Sequence, residues 1–157
     1  MMRIRFMVVG KTREQFLQQG EQFYQERLAP FCQLEWVIVR EEKGTAGKTG
    51  DMIREKEGAR ILEQWPRRGY VVALDTSGKP LSSEEFARFL QEAMNSGQSE
   101  MTFIIGGALG LDEKVRLAAT HRLSLSRMTF THEMTRLILL EQLYRSFTIL
   151  KGSKYHK

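Results

Sequence analysis

Glu141 and Arg145 stand four residues apart in a helix-forming run, and Tyr155 and His156 follow close behind in the last residues of the chain. Side chains four apart share one face of a helix, so this carboxylate and guanidinium can pair. The tail around Tyr155 and His156 also carries Lys151, Lys154 and Lys157 and no acid. Lysines suit phosphates, a tyrosine ring stacks on a base, and an imidazole moves a proton near neutral pH. A carboxylate and an imidazole can each act as a base. The chemistry open to this set is proton removal from a substrate held by its phosphates, although a solvated terminus has the same composition. A second feature is Gly106-Gly107-Ala108-Leu109-Gly110, which directly follows the apolar run Met101 to Ile105. Glycines there serve a tight turn or the close approach of a ligand to backbone.

Other chemistries fail on spacing. Gly47-Lys48-Thr49 resembles the end of a phosphate-binding loop, but Glu42 occupies the position where that loop needs its first glycine. A carboxylate there repels phosphate. A dinucleotide fingerprint around Gly106 is missing its first glycine, which is Ile105, and no acidic residue ends the next strand. His121, His132 and His156 match no zinc spacing, and Cys32 alone cannot complete a site. No metal is expected. A single cysteine also rules out a disulfide framework within the chain and fits a reducing cytoplasmic compartment.

The elements that must position these groups alternate along the chain. The spacing predicts strands at 3–9, 34–39, 71–74, 101–105 and 123–126. It predicts helices at 13–28, 51–64, from Ser82 to about Asn95, a short one from Asp112, and 133–150. Ser82 with Glu85 three residues later reads as a capping box, and Asp75 to Pro80 reads as a loop. Strand–helix alternation points to one α/β domain over 1–157, with a mainly parallel sheet flanked by helices. Ligands of such sheets bind at the carboxyl ends of the strands, which singles out Leu74, Gly106 and Ser126. The final helix is apolar nearly all round, from Met134 to Leu150, and a second subunit is the preferred cover for it.

Bulk properties fit this reading. The 157 residues are 41% hydrophobic and 27% charged, enough to bury a core and unlike a disordered chain. No apolar run reaches the ~20 residues of a membrane helix. The net charge of +5 favours a polyanionic partner.

Taken in order, several segments resemble a known family. They are Val71 to Asp75 with Ser77-Gly78-Lys79, then Phe103-Ile104-Ile105-Gly106-Gly107 with Gly110-Leu111. Next come Leu123-Ser124-Leu125-Ser126 with Met128-Thr129-Phe130 and His132, then Glu141-Gln142-Leu143-Tyr144-Arg145, and Tyr155-His156. Over essentially the whole chain this is similar to the ribosomal RNA large-subunit methyltransferase H (YbeA-like) family of the SPOUT superfamily. The resemblance implies a C-terminal trefoil knot and a homodimer packed through it. It implies S-adenosylmethionine as cofactor, and methylation at N3 of a pseudouridine in 23S ribosomal RNA of the assembled ribosome. The cofactor pocket implied is Leu74, Gly106, Leu125, Ser126, Arg127, Met128, Thr129 and Phe130. Glu141, Arg145, Tyr155 and His156 match positions linked to substrate binding or catalysis. Two places depart from the family pattern: Thr131 stands where proline is usual, and Ala108-Leu109 replaces a more polar pair. The alternatives are a non-catalytic ribosome-associated RNA-binding factor, or a nucleotide-dependent enzyme working through residues 44–49.

Overall fold

The strand β1 (Met2–Val9) shows how the layers are laid down. Its even positions Ile4, Phe6 and Val8 pack on one face and its odd positions Met7 and Val9 on the other. Strand side chains alternate between faces, so an element apolar at both parities must be covered twice. The computed structural model describes residues 1–156; Lys157, counted above among the tail lysines, lies outside the described residues.

After β1 come α1 (Gln15–Leu28), β2 (Cys32–Val39), α2 (Gly50–Glu63), β3 (Tyr70–Pro80), α3 (Ser83–Asn95), β4 (Glu100–Ile105), α4 (Glu113–Ala118), β5 (His121–Ser124) and α5 (His132–Leu150). The strands form one sheet in the order β2-β1-β4-β3-β5, and every pairing is parallel. Helices α1, α3 and α5 cover the Ile4–Phe6–Phe103 face, while α2 and α4 cover the Met7–Ile104 face. The α/β reading therefore holds, with a parallel sheet between helical layers.

Two expectations need correction. Asp75 to Pro80 is not a free loop. β3 continues through it, and the pairing with β5 jumps from Leu74↔Leu123 to Lys79↔Leu123. Gly78 makes the return possible, because a Cβ there would lie 2.8 Å from the Arg122 carbonyl carbon. The last strand ends at Ser124 rather than Ser126. Ser124 Oγ donates to the Ser126 carbonyl at 3.0 Å and Ser126 Oγ accepts the Met128 N–H at 2.9 Å, which turns the chain out of the sheet. Helix α5 is covered in part by its own chain. Leu139, Leu140, Leu143 and Phe147 enter the core beneath α1 and α3, and no residue of the helix is exposed. The side chain of Leu137 fits because α1 has Gly20 opposite it, where a Cβ would sit 2.8 Å from Leu137 Cδ1. Met134, Ile138, Tyr144, Ile149 and Leu150 of the same helix remain only half-buried.

The helix ends follow their sequence signals. Ser82 and Glu85 form the reciprocal capping box at α3, and Thr49 caps α2 by accepting the Met52 N–H. Helix α1 has no such cap of its own. The N–H groups of Arg13 and Glu14, just before it, donate to Glu133 Oε1 at 2.8 and 3.3 Å from the start of α5, which fixes the chain's entry into the helix.

Candidate functional site

The carboxyl ends of β3, β4 and β5 open into a cleft of about 1450 Å3. Leu74, Gly106, Leu125, Ser126, Met128, Thr129 and Phe130 all line it. Arg127 does not: it is exposed and is not among the lining side chains. The floor is the turn after β4. Gly107 and Gly110 form an antiparallel bridge, and Gly110 takes a φ of +84°, which a side chain disfavours. Gly106 packs still more closely: a Cβ there would lie 2.7 Å from the carbonyl carbon and oxygen of Gly110. From behind, Arg54 NH1 donates to the Leu109 carbonyl at 3.3 Å. The rim is apolar, with Met128, Phe16 and Leu109 exposed.

The charge of the cleft is its most informative property. Seven carboxylates line it, from Glu14, Asp51, Glu55, Asp75, Asp112, Glu113 and Glu133, against the two guanidinium groups of Arg54 and Arg116. Both guanidiniums already have acidic partners, Asp51 and Asp75. His132 at the same mouth is held towards its neutral form, first by burial and then by Arg136. Such a cleft rejects polyphosphate and suits a ligand of net positive charge.

The phosphate-loop reading fails on the same grounds. Lys48 is held by Glu42 at 2.9 Å, and Glu42 also takes Arg60 at 2.7 Å. These two hydrogen bonds, Lys48 before Arg60, pull the Glu42 carboxyl down to about 2. Glu57, which accepts the Glu42 N–H at 3.0 Å and lies against Gly107, goes the other way. Burial raises it above the usual carboxylate range, and Glu41 and Glu42 add like-charge repulsion. The two residues therefore have opposite pH signatures. The depressed Glu42 supplies stability that is complete above pH 4.5 and lost as pH falls towards 2. The raised Glu57 supplies stability only in its protonated form, complete below pH 4.5 and lost as pH rises through its folded value. Glu42→Gln is expected to lower the melting temperature at pH 7, and Glu57→Gln to raise it. Both differences shrink at acid pH, and thermal unfolding followed by circular dichroism from pH 3 to 8 checks the pair.

A second cluster lies further along α5. Glu141 Oε1 accepts from Arg145 Nε at 3.0 Å and NH2 at 2.5 Å, and from the Tyr155 hydroxyl at 3.2 Å. The pairing raises Arg145, and burial together with Tyr24 and Glu141 raises the Tyr155 phenol, so both keep their protons. Arg145 NH1 lies 3.0 Å from His156 Nδ1, and His156 Nε2 lies 2.7 Å from Glu84 Oε1. Arginine only donates, so Nδ1 accepts and Nε2–H donates to Glu84. The four residues singled out in the sequence are thus brought together, with Glu84 added. Its only signal in the sequence was its place in the first turn of α3. Glu141 stands six positions and Arg145 ten positions along the helix from Thr135 in the cleft, about 9 and 15 Å of rise. One chain therefore holds the cleft and the cluster apart.

Residues 2–156 match the family model described as "Predicted SPOUT methyltransferase". The chain belongs to the SPOUT methyltransferase family. Several curated relatives named "Ribosomal RNA large subunit methyltransferase H" align end to end with this SPOUT methyltransferase. That of Halothermothrix orenii is 45% identical, with 99% of this chain and 100% of the relative covered. That of Symbiobacterium thermophilum is 47% identical with the same coverage, 99% and 100%. Among solved structures, a probable methylase family protein from Haemophilus influenzae matches with a TM-score of 0.57 at 12% identity. It covers 98% of this chain and 70% of that one, a likeness of fold. No helix of the described residues is long and apolar enough to cross a membrane, and the described residues contain no cluster of potential metal ligands.

Proposed function

We propose that this SPOUT methyltransferase methylates N3 of a pseudouridine in 23S ribosomal RNA of the assembled ribosome, in the cytoplasm, with S-adenosylmethionine as donor. The observation that carries the reading is the end-to-end likeness to relatives named for the large-subunit reaction. The cleft supports the cofactor assignment independently. S-adenosylmethionine carries a sulfonium, an ammonium and one carboxylate, hence a net positive charge, and an acid-rich cleft without free cations favours that ligand.

The bound cofactor supplies an electrophilic methyl group. The chain supplies position. Leu74, Leu125 and Phe130 offer apolar contact, and the turn at Gly106 brings backbone groups against the ligand. As methylation proceeds, N3 loses its proton. His156 has no free lone pair while Arg145 and Glu84 hold it, and Glu141 Oε1 is already shared by Arg145 and Tyr155. Substrate contact with Arg145 and the tail would release one of them as acceptor, directly or through water.

The rise of about 9 Å from Thr135 to Glu141 and about 15 Å to Arg145 supports a homodimer in which one protomer's tail serves the partner's cleft. The exposed Met128, Phe16 and Leu109 provide an apolar seat for the second copy. The trefoil knot belongs to the same proposal. It is supported by β5 pairing outside β3 while α5, which follows it, packs over the central strands.

Subunit mixing tests this directly. Gly106→Arg disables the cleft and Glu141→Gln disables the cluster, so each homodimer is expected to be inactive on ribosomal subunits. Random reassortment makes half the dimers mixed, with one intact composite site each, and about a quarter of wild-type activity is expected to return. No recovery from folded, dimeric partners would place both halves of the site in one chain. A wild-type protein that binds S-adenosylmethionine yet transfers no methyl to ribosomal RNA would defeat the substrate assignment.

A further inference from the structure

The acid-lined cleft poses a problem for an RNA substrate, whose phosphates it repels. The molecule offers a second cavity of about 720 Å3 on the outer side of β5. Leu123 lines both cavities, so β5 is the wall between them. Lys79, on the returning arm of β3, Arg88 on α3 and Arg122 on β5 converge on this groove, and all three are exposed. Among the described residues none of the three has a carboxylate oxygen within the 4.0 Å of an ion pair, whereas both arginines of the cleft do. Two glutamates also line the groove. Glu85 is held by the capping box, its carboxylate accepting the Ser82 N–H at 2.9 Å, and with Glu92 it sets two carboxylates against three cations, a net positive groove.

The groove also presents rings. His121 is exposed at the edge of the sheet and meets Tyr70 and Phe89 edge-on, with ring centroids 5.0 Å away in each case. Burial and the nearby Lys79 favour its uncharged form. A neutral aromatic surface framed by unpaired cations is the combination that single-stranded nucleic acid uses, with phosphates on the cations and a base on a ring. It has no use for the cofactor, and none of its side chains contributes to the Glu141 cluster.

We propose that this groove is a binding surface for a single RNA strand, holding the backbone beside the cleft so that the target nucleotide crosses β5 to reach it. The proposal rests on the ribosomal RNA reading above and adds where the strand is gripped. Arg88 and Arg122 take successive phosphates, Lys79 takes a third, and His121 stacks on an unpaired base.

The test is fluorescence anisotropy of the full-length protein with a short labelled single-stranded RNA oligonucleotide over a series of KCl concentrations. Each phosphate contact to a single strand contributes about 0.7 to the slope of log affinity against log salt. Arg88→Ala/Arg122→Ala is expected to lower the slope by about 1.4 and to weaken binding roughly tenfold at low salt. Lys43→Ala/Lys56→Ala removes the same charge from the α2 side of the molecule and is expected to change neither. Glu92→Lys, at an exposed position, is expected to tighten binding. Equal effects of the two double variants would reduce the groove to bulk charge and overturn the proposal, as would wild-type protein that does not bind the oligonucleotide at the lowest salt. Calorimetric titration with S-adenosylmethionine is run on each variant in parallel. Lost RNA binding with intact cofactor binding assigns the groove, while absent cofactor binding in the wild type counts against the methyltransferase reading and leaves the RNA result standing.

Discussion

Gly106→Ala is expected to lose S-adenosylmethionine binding by at least about 100-fold while the protein stays folded. The added Cβ meets no flexible side chain that can swing away. It meets Gly110 backbone at 2.7 Å and the Leu111 N at 3.0 Å, so the turn itself must open. Opening it moves the Gly107–Gly110 bridge and the Leu109 carbonyl that Arg54 holds, and these form the cleft floor. Overpacking of this kind costs about 1–3 kcal/mol of stability, which a chain of this size survives. Calorimetric titration beside a melting curve separates the two effects. Wild-type affinity in a folded variant would remove the turn from the binding site.

Arg136→Met is expected to destabilise the protein by about 3–5 kcal/mol, the range for removing one partner of a buried charge. Arg136 is wholly buried, with 0% of its surface exposed. Its NH2 donates to the Val9 carbonyl at 2.8 Å and its NH1 to Thr12 Oγ1 at 3.0 Å, and Thr12 in turn donates to Glu21 at 2.7 Å. Methionine fills the volume but leaves the Val9 carbonyl unpaired and Glu21 without its cation. Burial already pushes the Glu21 carboxyl up, and Thr12 and Arg136 are what oppose it. Adding Glu21→Gln to Arg136→Met is therefore expected to restore a large part of the loss, because the stranded charge has gone. Chemical denaturation of the two single variants and the double measures that coupling. A fully additive cycle would mean that Arg136 and Glu21 do not interact.

Much of the fold was legible because its signals are local. Alternation of β-branched runs with helical spacing set the order of elements, and Ser82 with Glu85 announced the start of α3. What escaped was set by contacts distant in sequence. Nothing within Asp75 to Pro80 says that the segment rejoins β5, since that depends on Arg122 and Leu123 lying beside Gly78. The apolar girth of α5 shows that the helix must be covered, not by what. The Leu137–Gly20 contact supplies part of the answer. The glycine turn and the Leu125–Phe130 segment could be read because a parallel sheet places ligands at its strand ends. The acid lining could not, since it gathers residues from both helical layers, from β3 and from the links before α1 and α4. Glu84 was hidden for the same reason: its partner, His156, stands 72 positions away.

The link between β1 and α1 has a consequence for how the chain reaches this state. Its Arg13 and Glu14 N–H groups are satisfied by Glu133, 120 and 119 positions later, and the carbonyl that ends β1 is satisfied by Arg136, 127 positions later. During synthesis the first strand and helix emerge long before either partner exists. Contacts so remote along the chain form late and slow the approach to the native state. The first strand and helix therefore wait, with the link between them and one strand end unpaired, until the last helix has left the ribosome and docked. A nascent chain stalled before residue 136 should resemble an unfinished protein from its first strand onward.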